Sequence, residues 1–184
     1  MRRTLMLLSA MMMMVVLASG VAFAAAVDCS TTDPCEGTRG DDEIQGTENP
    51  DTINALAGND SVYSDAGDDT IYLGRGEDFV DGYTGNDTIY GGGGNDRYLA
   101  GAEDSDTVYG GKGNDIIDAA SFDTPGSVDY SYGESGNDTI YANDGYEDII
   151  DCGTGRRDTV YYDVGIDTVT NCEIENPPTT DPPV

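Results

Sequence analysis

Across the middle of the chain an apolar side chain recurs every ninth residue, always two places after an aspartate. The aspartates Asp42, Asp51, Asp60, Asp69, Asp78, Asp87 and Asp96 are separated by six consecutive intervals of nine. The register continues, with one-residue slips and one longer insertion, at Asp106, Asp115, Asp138, Asp148, Asp158 and Asp167. The residues two places on are Ile44, Ile53, Val62, Ile71, Val80, Ile89, Tyr98, Val108, Ile117, Ile140, Ile150, Val160 and Val169. All but Tyr98 are Ile or Val. Their neighbours are mostly polar or aromatic, as in Thr70-Ile71-Tyr72 and Thr88-Ile89-Tyr90. This alternation predicts short strands with one inward side chain each, and β-branched and aromatic residues favour the extended chain. Two places before the aspartate, the best copies carry glycine: Gly40, Gly58, Gly67, Gly76, Gly85, Gly94, Gly113 and Gly136. Glycine there supplies the backbone conformations of a tight turn. The pattern predicts an all-β chain of alternating turns and strands. A single inward residue per strand forms no core alone, but stacked coils line identical aliphatics into a ladder.

The segments Gly91-Gly92-Gly93-Gly94-Asn95-Asp96, Gly110-Gly111-Lys112-Gly113-Asn114-Asp115 and Tyr83-Thr84-Gly85-Asn86-Asp87-Thr88-Ile89-Tyr90 carry a further signal. They resemble the glycine-aspartate nonapeptide of the RTX (hemolysin-type) calcium-binding repeat, and the resemblance runs from Gly37 to Glu173. It implies a right-handed parallel β-roll with two nonapeptides per coil. It also implies that each turn offers backbone carbonyls and its aspartate to calcium ions lying between neighbouring coils. The expected metal ligands are therefore Asp42, Asp51, Asp60, Asp69, Asp78, Asp87, Asp96, Asp106, Asp115, Asp138, Asp148, Asp158 and Asp167.

The chemistry of the residues agrees. Calcium takes six to eight oxygens at roughly 2.3–2.6 Å. If residues eighteen apart stack at the strand-pairing distance of about 4.8 Å, a cation midway between two stacked carboxylates meets both. The expected pairs are Asp42 with Asp60, Asp51 with Asp69, Asp60 with Asp78, Asp69 with Asp87, and Asp78 with Asp96. Without metal the same stacking sets like charges side by side, so calcium is expected to be a folding partner.

Some copies depart from the pattern. Asn49 and Pro50 replace the usual turn residues before Asp51, predicting a weak or empty site there. Asp104, Tyr146 and Arg156 stand at the glycine position before Asp106, Asp148 and Asp158, and Arg156 with Arg157 competes with calcium for the last of these. Between Asp115 and Asp138 the register breaks. The segment 119–134 is read as a coil whose turn has lost its metal site, with a ligand-binding excursion as the competing reading.

Charge narrows the partners. The 184 residues carry 36 carboxylates against 8 basic side chains, a formal charge of −28, with no histidine. Nucleic acid and anionic membranes are repelled by such a chain. Without histidine, and with every recurring aspartate explained by the repeat, no catalytic group stands out, and no enzyme activity is expected. Tyr63, Tyr72, Tyr90, Tyr109, Tyr141 and Tyr161 recur three places after the aspartate. They suit a ladder of stacked rings protecting the sheet, or else an exposed aromatic face for sugars.

The first residues read as an export signal: basic Arg2 and Arg3, an apolar run from Leu5 to Leu17, and Ala22-Phe23-Ala24 before cleavage near Ala24. Export suits the four cysteines, of which two local pairs, Cys29 with Cys35 and Cys152 with Cys172, are the simplest connectivity. The expected organisation is a signal peptide at 1–24, a disulfide cap at 25–36, the calcium-binding roll at 37–175, and a proline-rich tail at 176–184. The whole reads as a secreted, extracellular monomer that folds around several calcium ions. Its expected role is structural, adhesive or ion-buffering at the cell surface, without membrane insertion; the alternative is a module binding polysaccharide through its tyrosines.

Overall fold

The structure, a computed structural model, describes residues 25–31, 34–99, 104–120 and 126–176. The expected leader (1–24) and all but the first residue of the proline-rich tail lie outside them. The described residues hold one short 3-10 turn (Cys29–Thr31) and seventeen strands. From the N-terminal end these are β1 (Ala25–Asp28), β2 (Cys35–Glu36), β3 (Asp42–Thr47), β4 (Thr52–Asn54), β5 (Ser61–Asp65) and β6 (Thr70–Arg75). Next come β7 (Phe79–Asp81), β8 (Thr88–Gly93), β9 (Arg97–Leu99), β10 (Thr107–Lys112), β11 (Ile116–Asp118) and β12 (Tyr130–Ser135). The last are β13 (Thr139–Ala142), β14 (Ile149–Asp151), β15 (Thr159–Tyr162), β16 (Thr168–Thr170) and β17 (Ile174–Asn176).

Odd-numbered strands build one nine-stranded sheet and even-numbered strands an eight-stranded sheet, each in simple sequential order. Pairing is parallel throughout, as between β3 and β5 and between β6 and β8. Each coil thus contributes one strand to each face, with two turns closing it. The all-β parallel roll expected from the nonapeptide rhythm is the fold observed.

The inward positions form two ladders. On the odd sheet Ile44 pairs with Val62, Val62 with Val80, Val80 with Tyr98, Tyr98 with Ile117, Ile117 with Ile140, and Ile140 with Val160. On the even sheet Ile53 pairs with Ile71, Ile71 with Ile89, Ile89 with Val108, Val108 with Ser131, and Ser131 with Ile150. These side chains are fully buried and make one core running the length of the roll. Val169, on the final even strand, is only partly covered, because among the described residues no strand pairs beyond β16.

Longer turns leave this register intact. β12 takes its place between β10 and β14, so the extra residues of the 119–134 segment are confined to the connection that precedes it. Disulfides close both ends of the core: Cys29 to Cys35 beside the first strands, and Cys152 at the end of β14 to Cys172 after β16.

The tyrosines stack. Tyr72, Tyr90, Tyr109 and Tyr132 form a continuous column on the even sheet, with ring centroids 4.9, 5.0 and 4.9 Å apart and planes within 9°. Tyr141 and Tyr161 repeat this on the odd sheet at 4.9 Å. The spacing is the strand separation itself, so identical outward residues bring rings face to face.

Candidate metal-binding turns

Two columns of aspartate run along the two turn edges. One holds Asp42, Asp60, Asp78, Asp96, Asp115, Asp138 and Asp158; the other holds Asp51, Asp69, Asp87, Asp106, Asp129, Asp148 and Asp167. Every sequence-predicted ligand is in one of them, and all except the partly covered Asp167 are buried. Asp129 joins them although the nonapeptide ruler passes over it. Its signal is obscured because Ser131, not an aliphatic residue, stands two places on; the clue that remains is its distance of nineteen residues from Asp148.

The columns are held by a repeated contact. From Asp60 on one edge and Asp69 on the other, one carboxylate oxygen, Oδ1, accepts the backbone amide of the aspartate one coil earlier. Asp42 donates to Asp60, Asp60 to Asp78, and Asp78 to Asp96, each at 2.8 Å. On the other edge Asp51 donates to Asp69 at 2.7 Å and Asp69 to Asp87 at 2.8 Å. The predicted pairs therefore do stack, and the aspartates join neighbouring coils before any metal is considered. Half of each carboxylate is already used, which leaves less for a cation than two free carboxylates facing each other.

The second oxygen, Oδ2, separates the turns into classes. In Asp60, Asp69, Asp78, Asp87, Asp115, Asp138, Asp148 and Asp158 it is buried without a hydrogen-bond partner. In Asp42 it accepts from the Thr38 amide at 2.6 Å and the Thr38 hydroxyl at 3.1 Å. In Asp51 it accepts from the Thr47 amide at 2.7 Å, and in Asp167 from the Asp163 amide at 2.6 Å. A buried carboxylate oxygen without a donor is costly, so the first group is the part of the molecule that asks for a cation.

Turn backbone surrounds these oxygens closely. Gly113 has φ +138°, and a Cβ there would overlap the carbonyl oxygen of Gly94. Gly136 stands in the same relation to the carbonyl of Gly113. Only glycine lets the peptides of successive turns approach this way. Among the described residues no three carboxylate or thiolate side chains converge on one point. A cation in these turns would be held by aspartate Oδ2 together with peptide carbonyls, a hard-oxygen set that fits calcium.

Burial costs the charged carboxylates dearly. It pushes Asp87 and Asp148 up to about 8, and Asp78 and Asp115 up to about 7, with neighbouring carboxylates adding to the shift. Asp60, Asp69, Asp138 and Asp167 are raised to about 6 by the same cause. Asp158 is raised by burial and by the nearby Glu173, while Arg156 and Arg157 stand exposed to solvent. Burial in these columns thus favours the protonated over the charged carboxylate.

Family comparison settles what kind of repeat this is. Residues 36–71, 63–98, 72–105, 98–123 and 126–156 match the RTX calcium-binding nonapeptide repeat. The chain belongs to this RTX family. No curated protein sequence matches it. As an RTX protein it is a calcium-binding repeat protein, and of the eight column aspartates with an unpartnered Oδ2 all but Asp158 fall within the matched segments.

Proposed function

We propose that this RTX protein is secreted and folds around several calcium ions, serving as a structural, adhesive or ion-buffering element at the cell surface. The column of buried Oδ2 atoms without donors carries this reading. Asp60, Asp69, Asp78, Asp87, Asp115, Asp138, Asp148 and Asp158 are the proposed principal ligands, with turn carbonyls completing each shell. Asp42, Asp51, Asp106 and Asp167 stand in the same columns as accessory positions. Calcium replaces the protons that burial would otherwise force onto these carboxylates, and so couples binding to folding. The leader-like residues 2–24 and the two disulfides support export into an oxidising setting.

The fold works as a scaffold, and its aspartates are committed to the turns, which supports a non-catalytic role. In the tyrosine column the ring faces are spent on each other, so solvent meets a row of edges and hydroxyls. That geometry favours a structural ladder over a stacking platform for sugars, and polysaccharide pull-down in calcium distinguishes the two.

Counting bound calcium by native mass spectrometry tests the reading. Several ions per chain are expected at saturation, with fewer in Asp87→Asn. A protein that stays calcium-free at millimolar calcium would rule the reading out.

A further inference from the structure

Asp96 breaks the pattern of the columns. Its Oδ2 accepts a hydrogen bond from the phenol of Tyr98, whose Oη lies 3.0 Å away. The same Oη lies 2.9 Å from the carbonyl oxygen of Gly110. Tyr98 occupies an inward position of the odd-sheet ladder, where Val80 and Ile117 stand on either side of it. Its ring is fully buried and reaches across the core into the turn edge. Space for it comes from glycine: a Cβ on Gly91 would overlap Oη. One coil earlier, where Val80 replaces tyrosine, the residue corresponding to Gly91 is Leu73, itself fully buried.

Gly110 lies in β10, the strand that leads to Asp115, one coil beyond Asp96. The phenol, with one proton shared between two acceptors, therefore bridges the carboxylate of one coil and a peptide carbonyl of the next. Those are the two oxygen types that a calcium between coils would take. A cation bonding to Asp96 Oδ2 at roughly 2.3–2.6 Å would have to share that oxygen with the hydroxyl already seated between it and the Gly110 carbonyl, on a ring that is fully buried.

We propose that the junction between the Asp96 and Asp115 turns is closed by the Tyr98 phenol in place of a calcium ion. The RTX consensus aspartate is kept at Asp96, but its turn is a metal-free link in the middle of a calcium-dependent roll. This inference rests on the proposed calcium binding at the other turns.

Native mass spectrometry of the disulfide-intact protein at saturating calcium tests it. Tyr98→Val restores the ladder residue of the neighbouring copies and frees both oxygens, so the variant is expected to bind one more calcium than the wild type. A folded Tyr98→Val protein with an unchanged count would overturn the proposal. Asp96→Asn in the otherwise native chain decides the matter should Tyr98→Val fail to fold. An unchanged count in Asp96→Asn, beside a lower one in Asp87→Asn, supports the proposal, whereas equal losses in both contradict it. A wild type that binds no calcium would instead remove the premise and count against the proposed function.

Discussion

The backbone amide of Asp69 lies 2.8 Å from Oδ1 of Asp87, one coil further along the roll, while Oδ2 of Asp87 is buried with no donor at all. One carboxylate thus has two roles, one oxygen setting the stacking of coils and the other, in the proposed function, taking a cation. Asparagine and alanine separate these roles. Asp87→Asn keeps an acceptor for the Asp69 amide and removes the charge, so without calcium at pH 7.5 it should be more stable than the wild type, and with calcium less stable. Asp87→Ala leaves the amide unsatisfied and should lose about 1–3 kcal/mol in calcium beyond the loss of the ion. Urea denaturation of the three proteins, with calcium and with chelator, reads both effects.

Acid should substitute for calcium. Burial raises Asp87 and Asp148 to about 8 and Asp78 and Asp115 to about 7, whereas in the unfolded chain aspartate titrates near about 3.9. Between those limits the folded state holds protons that the unfolded state has released. Metal-free stability is therefore greatest below about pH 4 and falls as pH rises, by up to about 1.4 kcal/mol per pH unit for each carboxylate within its window. The calcium-free protein should keep a β spectrum at about pH 4 and lose it progressively as pH rises from there to about 6, 7 and 8, where the buried aspartates titrate. Far-UV circular dichroism across that range checks the sign.

Glycines in the turns are not equivalent. Gly113→Ala drives a Cβ into the Gly94 carbonyl and should cost more than about 4 kcal/mol. Gly145 has φ +99° but open space around its Cβ position, so Gly145→Ala should cost only the left-handed backbone penalty of about 1–2 kcal/mol. Thermal unfolding of the two variants in saturating calcium gives the contrast.

Much of this architecture is legible from aspartate and aliphatic spacing, because a solenoid converts sequence period directly into spatial register. Ile53, Ile71 and Ile89 align for that reason, and so do Tyr72 and Tyr90. Tyr132 and Asp129 escape the nine-residue ruler because the longer connection before β12 shifts their numbering without shifting their place in the sheet. The division of labour within each carboxylate is invisible in sequence, since all copies share the same aspartate. It depends on what neighbours Oδ2: an amide in Asp51, a phenol in Asp96, nothing in Asp148. Even the turn at Asp148, where Tyr146 replaces glycine, keeps a buried and unpartnered oxygen.

The C-terminal disulfide should matter more than the N-terminal one. Cys152 and Cys172 are 20 residues apart and join two successive even-sheet coils, whereas Cys29 and Cys35 are separated by 6. Closing the longer loop is worth about 3 kcal/mol in the chain-entropy account. In Cys152→Ser/Cys172→Ser the amides of β14 and β16 should exchange far faster than those of β6 and β8, as hydrogen exchange mass spectrometry would record.

The central claim is that calcium completes this fold at neutral pH, and far-UV circular dichroism of residues 25–184, disulfides intact, tests it most directly. Titrating calcium into chelated protein at pH 7.5 should convert a coil spectrum to a β spectrum, reversibly on adding chelator. A full β spectrum in chelator at that pH, unchanged by calcium, would contradict it.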